Sequence, residues 1–350
     1  MEHEKEASVS SGDTSRVSSI VEKGGAGFEG ITLLLCENPL PPLAEAVEAA
    51  TAQLPQSHHY TEPFSAPLRA AIADDLGVAE RHIHINAGSE LILRQLFDRL
   101  GSHVHLFTPT YPLFPEIARR YTETPLRAEE DFAFNLENLS IPPETTLVAI
   151  VNPNNPTGGA FDPRFLPELM HRHPDTCFLV DEAFVDVGGC SVASWVPRYP
   201  RLLVTRTFSK AHSLAGFRVG FAVLPEALAD DLNSRNDAYP LARPSQAAAL
   251  ATLRHMDKIR GRVQELRKWT RELAAGLGRL GVKTYPTETY FFLADFWPHK
   301  GVEIAEHLAA RKILAKPLND LRLGAGFVRM TTATPEENRQ VLAALAELSG

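Results

Sequence analysis

The chain has 350 residues, 44% of them apolar and 22% charged, and carries a formal net charge of −8. That composition belongs to a globular protein with a large core, and the length exceeds what one core usually supports, so two lobes are expected. The acidic balance argues against a nucleic-acid or anionic-membrane surface, and no apolar run approaches the roughly 18 residues of a membrane span.

The first residues are polar. Glu2, Glu4 and Glu6 and the lack of an apolar stretch do not read as a secretory signal. Cys36, Cys177 and Cys190 are odd in number and show no CxxC spacing, so neither a disulfide framework nor a cysteine zinc site is expected. A cytoplasmic protein fits these features. Residues 1–30 read as a flexible arm, Ser-rich over 1–28 with Gly24, Gly25 and Gly27 closing that stretch. Residues 31–35 look like a strand, followed by the turn Asn38-Pro39-Leu40-Pro41-Pro42. Leu43, Val47 and Ala50 recur at helical spacing and predict a helix over 43–53. Tyr60 to Phe64 reads as a loop leading into Pro67, the first-turn proline of a helix running to about Leu76. His58 and His59 are adjacent, cannot face one metal from a regular element, and are joined by no carboxylate or cysteine pattern. No metal site is expected there.

From residue 83 the chain alternates strands with turns that carry polar groups. A strand at Ile83–Asn86 gives way to Ala87-Gly88-Ser89-Glu90 and an amphipathic helix with Leu91, Ile92, Gln95 and Leu96. Such a turn can aim free N–H groups at an anion, or can be small for steric reasons alone. A strand at 104–107 ends in Thr108-Pro109-Thr110-Tyr111. There an aromatic can stack on a ligand's flat ring or simply cover the sheet edge. The nearly continuous apolar strand 146–151 implies a sheet covered on both faces and runs into NPNNPTG at 152–158, a stiff turn that presents an Asn side chain. The strand 177–180 ends in DEAF at 181–184, placing Asp181 at a buried tip, where a carboxylate needs a cation or a loop to cap. After the short strand 202–204 comes TRTFSKAHSLAGFRVG at 205–220. Its lysine, Lys210, is flanked by the hydroxyls of Thr207 and Ser209, and Arg218 follows eight residues on. An amine can bond an aldehyde, while hydroxyls and a forked guanidinium can hold a phosphate dianion. A plain basic loop is the bland alternative.

GSE at 88–90, PTY at 109–111, NPNNPTG, DEAF and SKAHSLAGFRVG occur in that order. Together they resemble the pyridoxal-phosphate-dependent aminotransferases of fold type I, most closely the histidinol-phosphate aminotransferase-like branch, over residues 31–350. The resemblance implies an α/β fold whose large lobe holds a mostly parallel seven-stranded sheet between helices, beside a small α+β lobe. The large lobe would span 45–250, and residues 31–44 would join 251–350 in the small one. The cofactor would be pyridoxal 5′-phosphate, and the reaction the movement of an amino group between an L-amino acid and a 2-oxo acid. Lys210 would be joined to the cofactor's aldehyde and act as acid and base. Asp181 would pair with the ring nitrogen, Asn155 with the phenolic oxygen, and Tyr111 would stack on the ring. Gly88, Ser89, Thr207, Ser209 and Arg218 would hold the phosphate. Tyr60 would reach the phosphate of a neighbouring subunit, which implies a homodimer. Arg329 would bind the substrate carboxylate, with Asn155 and Tyr290 beside it.

The sequence departs from the family pattern at three places. Phe184 stands where a tyrosine is usual, a change shared with the threonine-phosphate decarboxylase branch, so decarboxylation is the alternative reaction. The segment before Ile31 lacks a Pro-Tyr pair, and Thr289-Tyr290-Phe291 replaces the usual Asn-Phe. The substrate therefore stays open between a histidinol-phosphate-like and an unphosphorylated compound. Residues 235–245 read as an irregular loop near the substrate entrance. A long helical region is expected over 246–280, with Arg260, Arg262, Arg267, Lys268 and Arg271 on a solvated face. Alternating strand and helix signals complete the chain.

Overall fold

The computed structural model describes residues 28–318 and 323–348, so the arm expected over 1–30 lies, up to residue 27, outside the described residues. After the two-residue strand β1 (Ile31–Thr32) come helices α1 (Ala44–Gln53) and α2 (Ala66–Leu76). The main sheet is then laid down by β2 (Ile83–Asn86), β3 (Val104–Thr108), β4 (Tyr121–Pro125), β5 (Leu147–Val151), β6 (Cys177–Asp181), β7 (Leu202–Thr207) and β8 (Gly220–Val223). Helices α3 (Ser89–Leu100), α4 (Leu113–Ile117) and α5 (Leu166–Arg172) connect strands, and α6 (Glu226–Arg235) and α7 (Arg243–Leu253) follow them. The strand order is β2-β8-β7-β6-β5-β3-β4. Only β8 runs against its neighbours, which makes the sheet seven-stranded and mostly parallel, as the resemblance implies.

Alternate residues explain why these strands are so apolar. Val148, Ile150, Val180 and Val204 pack into one core, while Leu147, Ala149, Leu179 and Leu203 pack into another on the opposite face. A parallel sheet covered on both faces has no room for a polar side, so its polar residues collect where the strands end. Those ends carry Asn86, Thr108, Asn152, Asp181 and Thr207.

The remaining chain forms α8 (Met256–Arg279), β9 (Lys283–Thr284), β10 (Phe291–Asp295), α9 (Gly301–Ala309), β11 (Ile313–Leu314), β12 (Lys316–Pro317), β13 (Phe327–Thr331) and α10 (Pro335–Ala346). An antiparallel sheet of order β12-β13-β10-β9 packs Phe292, Ala294 and Val328 against Leu273, Ile304, Leu308 and Val341 of its helices. Beside it, β1 pairs in parallel with β11.

Four expectations need correction. The strand foreseen over 31–35 stops at Thr32, because residues 33–36 turn their carbonyls to side chains rather than to a neighbouring strand. In α1 the buried face is Ala46 and Ala50, with Leu43 buried just before the helix, and Val47 is exposed; in α3 Leu93 and Phe97 are buried and Leu91 is exposed. The helical region over 246–280 is two helices broken at Arg254 and His255, and the loop before it is confined to 236–242. The charge run is only partly solvated. Arg262 donates to the Pro41 carbonyl, and Arg267 bridges the Val187 carbonyl and Glu288.

Candidate active site

Asp181 closes β6, lies opposite Thr205 of β7 and is only 3% exposed. The Thr205 hydroxyl donates to it at 2.9 Å. Burial pushes its carboxyl up to about 6, against the pull of the Thr205 hydroxyl, the Ala183 N–H and the charge of Lys210. The carboxylate is therefore short of a cation. Along β7, Arg206 sits between Thr205 and Thr207 and faces the other side of the sheet. It pairs there with Asp186, and its Nε lies 3.8 Å from Glu182, a carboxyl that burial pushes up to about 7.

Beyond the end of β7 the chain turns and presents Lys210. Its Nζ donates to the carbonyls of Leu35 at 2.8 Å and Cys36 at 3.3 Å, and lies 5.4 Å from the centre of the Phe184 ring. Burial holds the ammonium below the usual lysine range. Arg329 and Arg218 push the same way, with Cys36 and Glu37 opposing.

An anion cradle lies beside this pair. Gly88 precedes α3 at φ +89°, and a Cβ there would meet Arg218 Nη2 at 2.6 Å. A Cβ on Gly220 would stand 2.1 Å from the Ser89 nitrogen. Only glycines let the helix N-terminus, Arg218 and β8 come this close. Thr207 donates to Ser209 Oγ at 2.9 Å and accepts from the Ser209 N–H at 3.1 Å. Free N–H groups at a helix start, a guanidinium and two hydroxyls suit a phosphate dianion. Tyr111, half-buried after β3, feels Asp181, Glu90 and Arg218. Burial first, then the two carboxylates, push its phenol up to about 12.

The other wall comes from the smaller sheet. Arg329 on β13, 7% exposed, donates to Asn155 Oδ1 at 2.7 Å and to the Leu34 carbonyl. Its Nε is buried without a partner among the described residues. Asn155 thus spends its oxygen on Arg329. Neighbouring Asn154 bonds Pro109 and Thr157, which stiffens the turn. Tyr290, 0% exposed, lies beneath residues 33–38 and donates to the Cys36 carbonyl at 2.8 Å. It therefore touches the site through that carbonyl rather than opening into it. Tyr60 is not brought to this chain's own site; it is 77% exposed and stacks on Tyr239 with ring centres 4.4 Å apart.

Two residues at the site escape sequence reasoning. Lys316 on β12 stands directly opposite Arg329, so both side chains share one face. Burial and the charge of Arg329 hold its ammonium below the usual range, and no acceptor reaches it among the described residues. Asn38, read only as part of a turn, donates to the carbonyls of Lys210 and Ala211 at 3.2 Å each. No local signal marks either one, since both depend on contacts far along the chain.

Over residues 31–345 the sequence matches the family aminotransferase class I and II. The chain belongs to that family. It is a pyridoxal-phosphate-dependent aminotransferase, which moves an amino group between an amino acid and a 2-oxo acid. It is 33% identical to histidinol-phosphate aminotransferase 1 of Pseudomonas aeruginosa, over 88% of this chain and 90% of that one. Its identity to the histidinol-phosphate aminotransferase of Microcystis aeruginosa is 31%, over 90% of each chain. The fold matches a Sinorhizobium meliloti histidinol-phosphate aminotransferase solved with pyridoxal-5′-phosphate, at a TM-score of 0.82, 21% identity and coverage of 94% and 96%. It matches Thermus thermophilus aspartate aminotransferase solved with maleate at a TM-score of 0.81, 23% identity and 97% coverage of each chain. The aminotransferase's own residues fit the cofactor: an amine of lowered basicity, a buried carboxylate lacking a cation, and a cradle that a single Cβ would fill.

Proposed function

We propose that Lys210 and Asp181 are the catalytic pair of this aminotransferase, and that its amino donor is a phosphate ester of the histidinol-phosphate kind. The pairing of a desolvated lysine with a cation-starved carboxylate, on neighbouring strand ends, carries the first part. When bound, pyridoxal phosphate supplies an aldehyde for the amino group and a ring that accepts the electrons left on the substrate's α-carbon. Gly88, Ser89, Thr207, Ser209 and Arg218 would hold its phosphate, Tyr111 would lie against its ring, Asn155 would offer its amide N–H, and Asp181 would pair with the ring nitrogen. Lys210 takes the proton from the substrate Cα and returns it in the reverse half-reaction. Its lowered pKa keeps part of the amine neutral and able to do so.

Arg329 binds the substrate's carboxylate, or the phosphate in its place, as a forked donor. Lys316 beside it supports the second part. Two like charges facing one another across a strand pair are unfavourable unless an anion lies between them, and a phosphate dianion answers two cations better than one carboxylate does. The names of the curated relatives point the same way.

A panel of L-histidinol phosphate, L-histidinol, L-histidine and L-glutamate, scored for cofactor conversion and stoichiometric carbonyl product, tests the reading. Conversion by histidinol and histidine but not by the phosphate ester would overturn the substrate assignment. Carbon dioxide with a retained aldehyde cofactor would mean the decarboxylase reaction that Phe184 leaves open.

The same proposal includes a homodimer. Leu54, Tyr60, Phe64 and Tyr239 are exposed apolar groups, and Tyr60 would enter the neighbouring site from that patch. It also includes a cytoplasmic location; no helix among the described residues is long and apolar enough to cross a membrane. The same proposal divides the chain into a larger lobe over 45–250 and a smaller one formed by 31–44 with 251–350.

A further inference from the structure

We propose that Asn38 is a positioning residue for Lys210: its carboxamide ties a strap anchored on the smaller sheet to the backbone of the catalytic lysine. This rests on the reading that Lys210 carries the cofactor.

Residues 208–214 are neither helix nor strand, so nothing regular holds the Lys210 backbone. Local bonds from Ser213 N–H to the Lys210 carbonyl at 3.1 Å and from Leu214 N–H to the Phe208 carbonyl at 3.0 Å shape the turn. Among the described residues, the donor that reaches the Ala211 carbonyl is Asn38 Nδ2, which also serves the Lys210 carbonyl. The other end of the amide is committed too. Asn38 Oδ1 accepts from the Leu40 N–H at 3.0 Å, which fixes the orientation of the side chain and aims its NH2 group at the turn.

The strap that carries Asn38 begins on the far side of the site. Ile31 and Leu33 donate to the carbonyls of Lys312 and Leu314 at 2.9 and 2.7 Å. Its next carbonyls accept from Thr331, Arg329 and Tyr290, and those of Leu35 and Cys36 accept from Lys210 Nζ. Lys210 is therefore gripped at both ends by one short segment, at its amine by carbonyls and at its main chain by the Asn38 amide. The side-chain grip gives way whenever the amine does chemistry. The main-chain grip does not, so Asn38 keeps the lysine's Cα in place while Nζ moves. The charged and titratable groups around that ammonium are Asp181 at the end of β6, Arg218 beyond the turn, Arg329 on β13, and Cys36 and Glu37 of the strap.

The test compares wild-type holoenzyme with Asn38→Ala, Asn38→Ser and Asn38→Asp. The aspartate keeps the shape but sets an acceptor against two acceptors. Turnover per folded molecule should fall about tenfold to a hundredfold in the alanine and aspartate variants, as expected when a reacting group loses its placement, with less effect on KM. Borohydride fixation of the cofactor at Lys210 should slow in parallel. The pH midpoint of the bound cofactor's visible band should move, upward in the aspartate variant because a nearby negative charge favours the protonated form. Serine, which retains one donor, should recover part of each loss. Unchanged turnover and midpoint in the variants that fold, or losses that only track a lower melting temperature, would overturn the proposal. Failure of borohydride to fix a pyridoxyl group at Lys210 in the wild type would instead sink the underlying site reading.

Discussion

The residues proposed to hold the cofactor and those proposed to face the substrate are assembled by different means. Gly88, Asp181 and Thr207 lie at or just past the ends of β2, β6 and β7, and Arg218 just before the start of the antiparallel β8; strand register brings them to one rim. Arg329, Lys316, Tyr290 and Asn38 come from the smaller sheet and the strap: Lys316 faces Arg329 through strand register, while residues 33–38 cross between the two sheets and carry the contacts of Arg329, Tyr290 and Asn38. One wall is local chemistry repeated along a sheet, and the other is a set of long-range approaches. Damage to the first should remove the reaction; damage to the second should misplace it.

The largest effect belongs to the first wall. Lys210→Ala should lower turnover by about 10²- to 10⁴-fold, the usual contribution of a positioned acid–base group, and should abolish borohydride fixation at that position. Retained fixation would remove the lysine from its role and dissolve the contrast between the walls.

Asp181→Asn gives a stability effect of the opposite sense. A carboxyl raised from 3.8 to about 6 binds its proton more tightly in the folded state, so its contribution is fully present below about pH 4 and lost as pH rises through 6. Two units amount to about 3 kcal/mol, so the cofactor-free variant should gain up to about 3 kcal/mol over wild type at pH 8 and little at pH 4. Urea denaturation at the two pH values measures this. A variant less stable at pH 8 would mean that the carboxylate has found its cation within the chain.

On the second wall, Arg329→Lys should raise KM for the amino donor by about 10- to 100-fold, from the loss of about 1.5–3 kcal/mol of charged hydrogen bonding, with a smaller change in kcat. Lys316→Met should be milder, about 1 kcal/mol or fivefold in KM, and confined to a phosphorylated donor, leaving glutamate nearly unaffected. An equal loss for both substrates would make Lys316 a structural residue.

The first wall was legible because its strands are short apolar runs that end abruptly in a polar group or, for Arg218, begin just after one. Ile83 to Asn86, Leu147 to Val151 and Cys177 to Asp181 announce buried strands, and a polar group just beyond a buried strand can only sit at the sheet's rim. The same logic misjudged residues 31–35. Ile31, Leu33 and Leu34 are buried as a strand's residues would be and Leu35 is exposed, but the carbonyls of Leu33, Leu34 and Leu35 answer Thr331, Arg329 and Lys210 instead of a ladder. It also missed how Arg262 and Arg267 reach backbone carbonyls far away, since a charge run looks alike whether it meets water or a carbonyl.

What the sequence determined by itself is the order of strands and turns, and with it the placing of Lys210, Asp181 and Arg218 at or near strand ends, because strand periodicity and turn chemistry act over a few residues. What only the tertiary structure decided is which groups gather around Arg329 and Lys210. Lys316 becomes a neighbour of Arg329 through strand register, and Asn38 a neighbour of Lys210 across 172 positions of chain. Contacts of that range depend on the packing of whole elements, which no local pattern encodes.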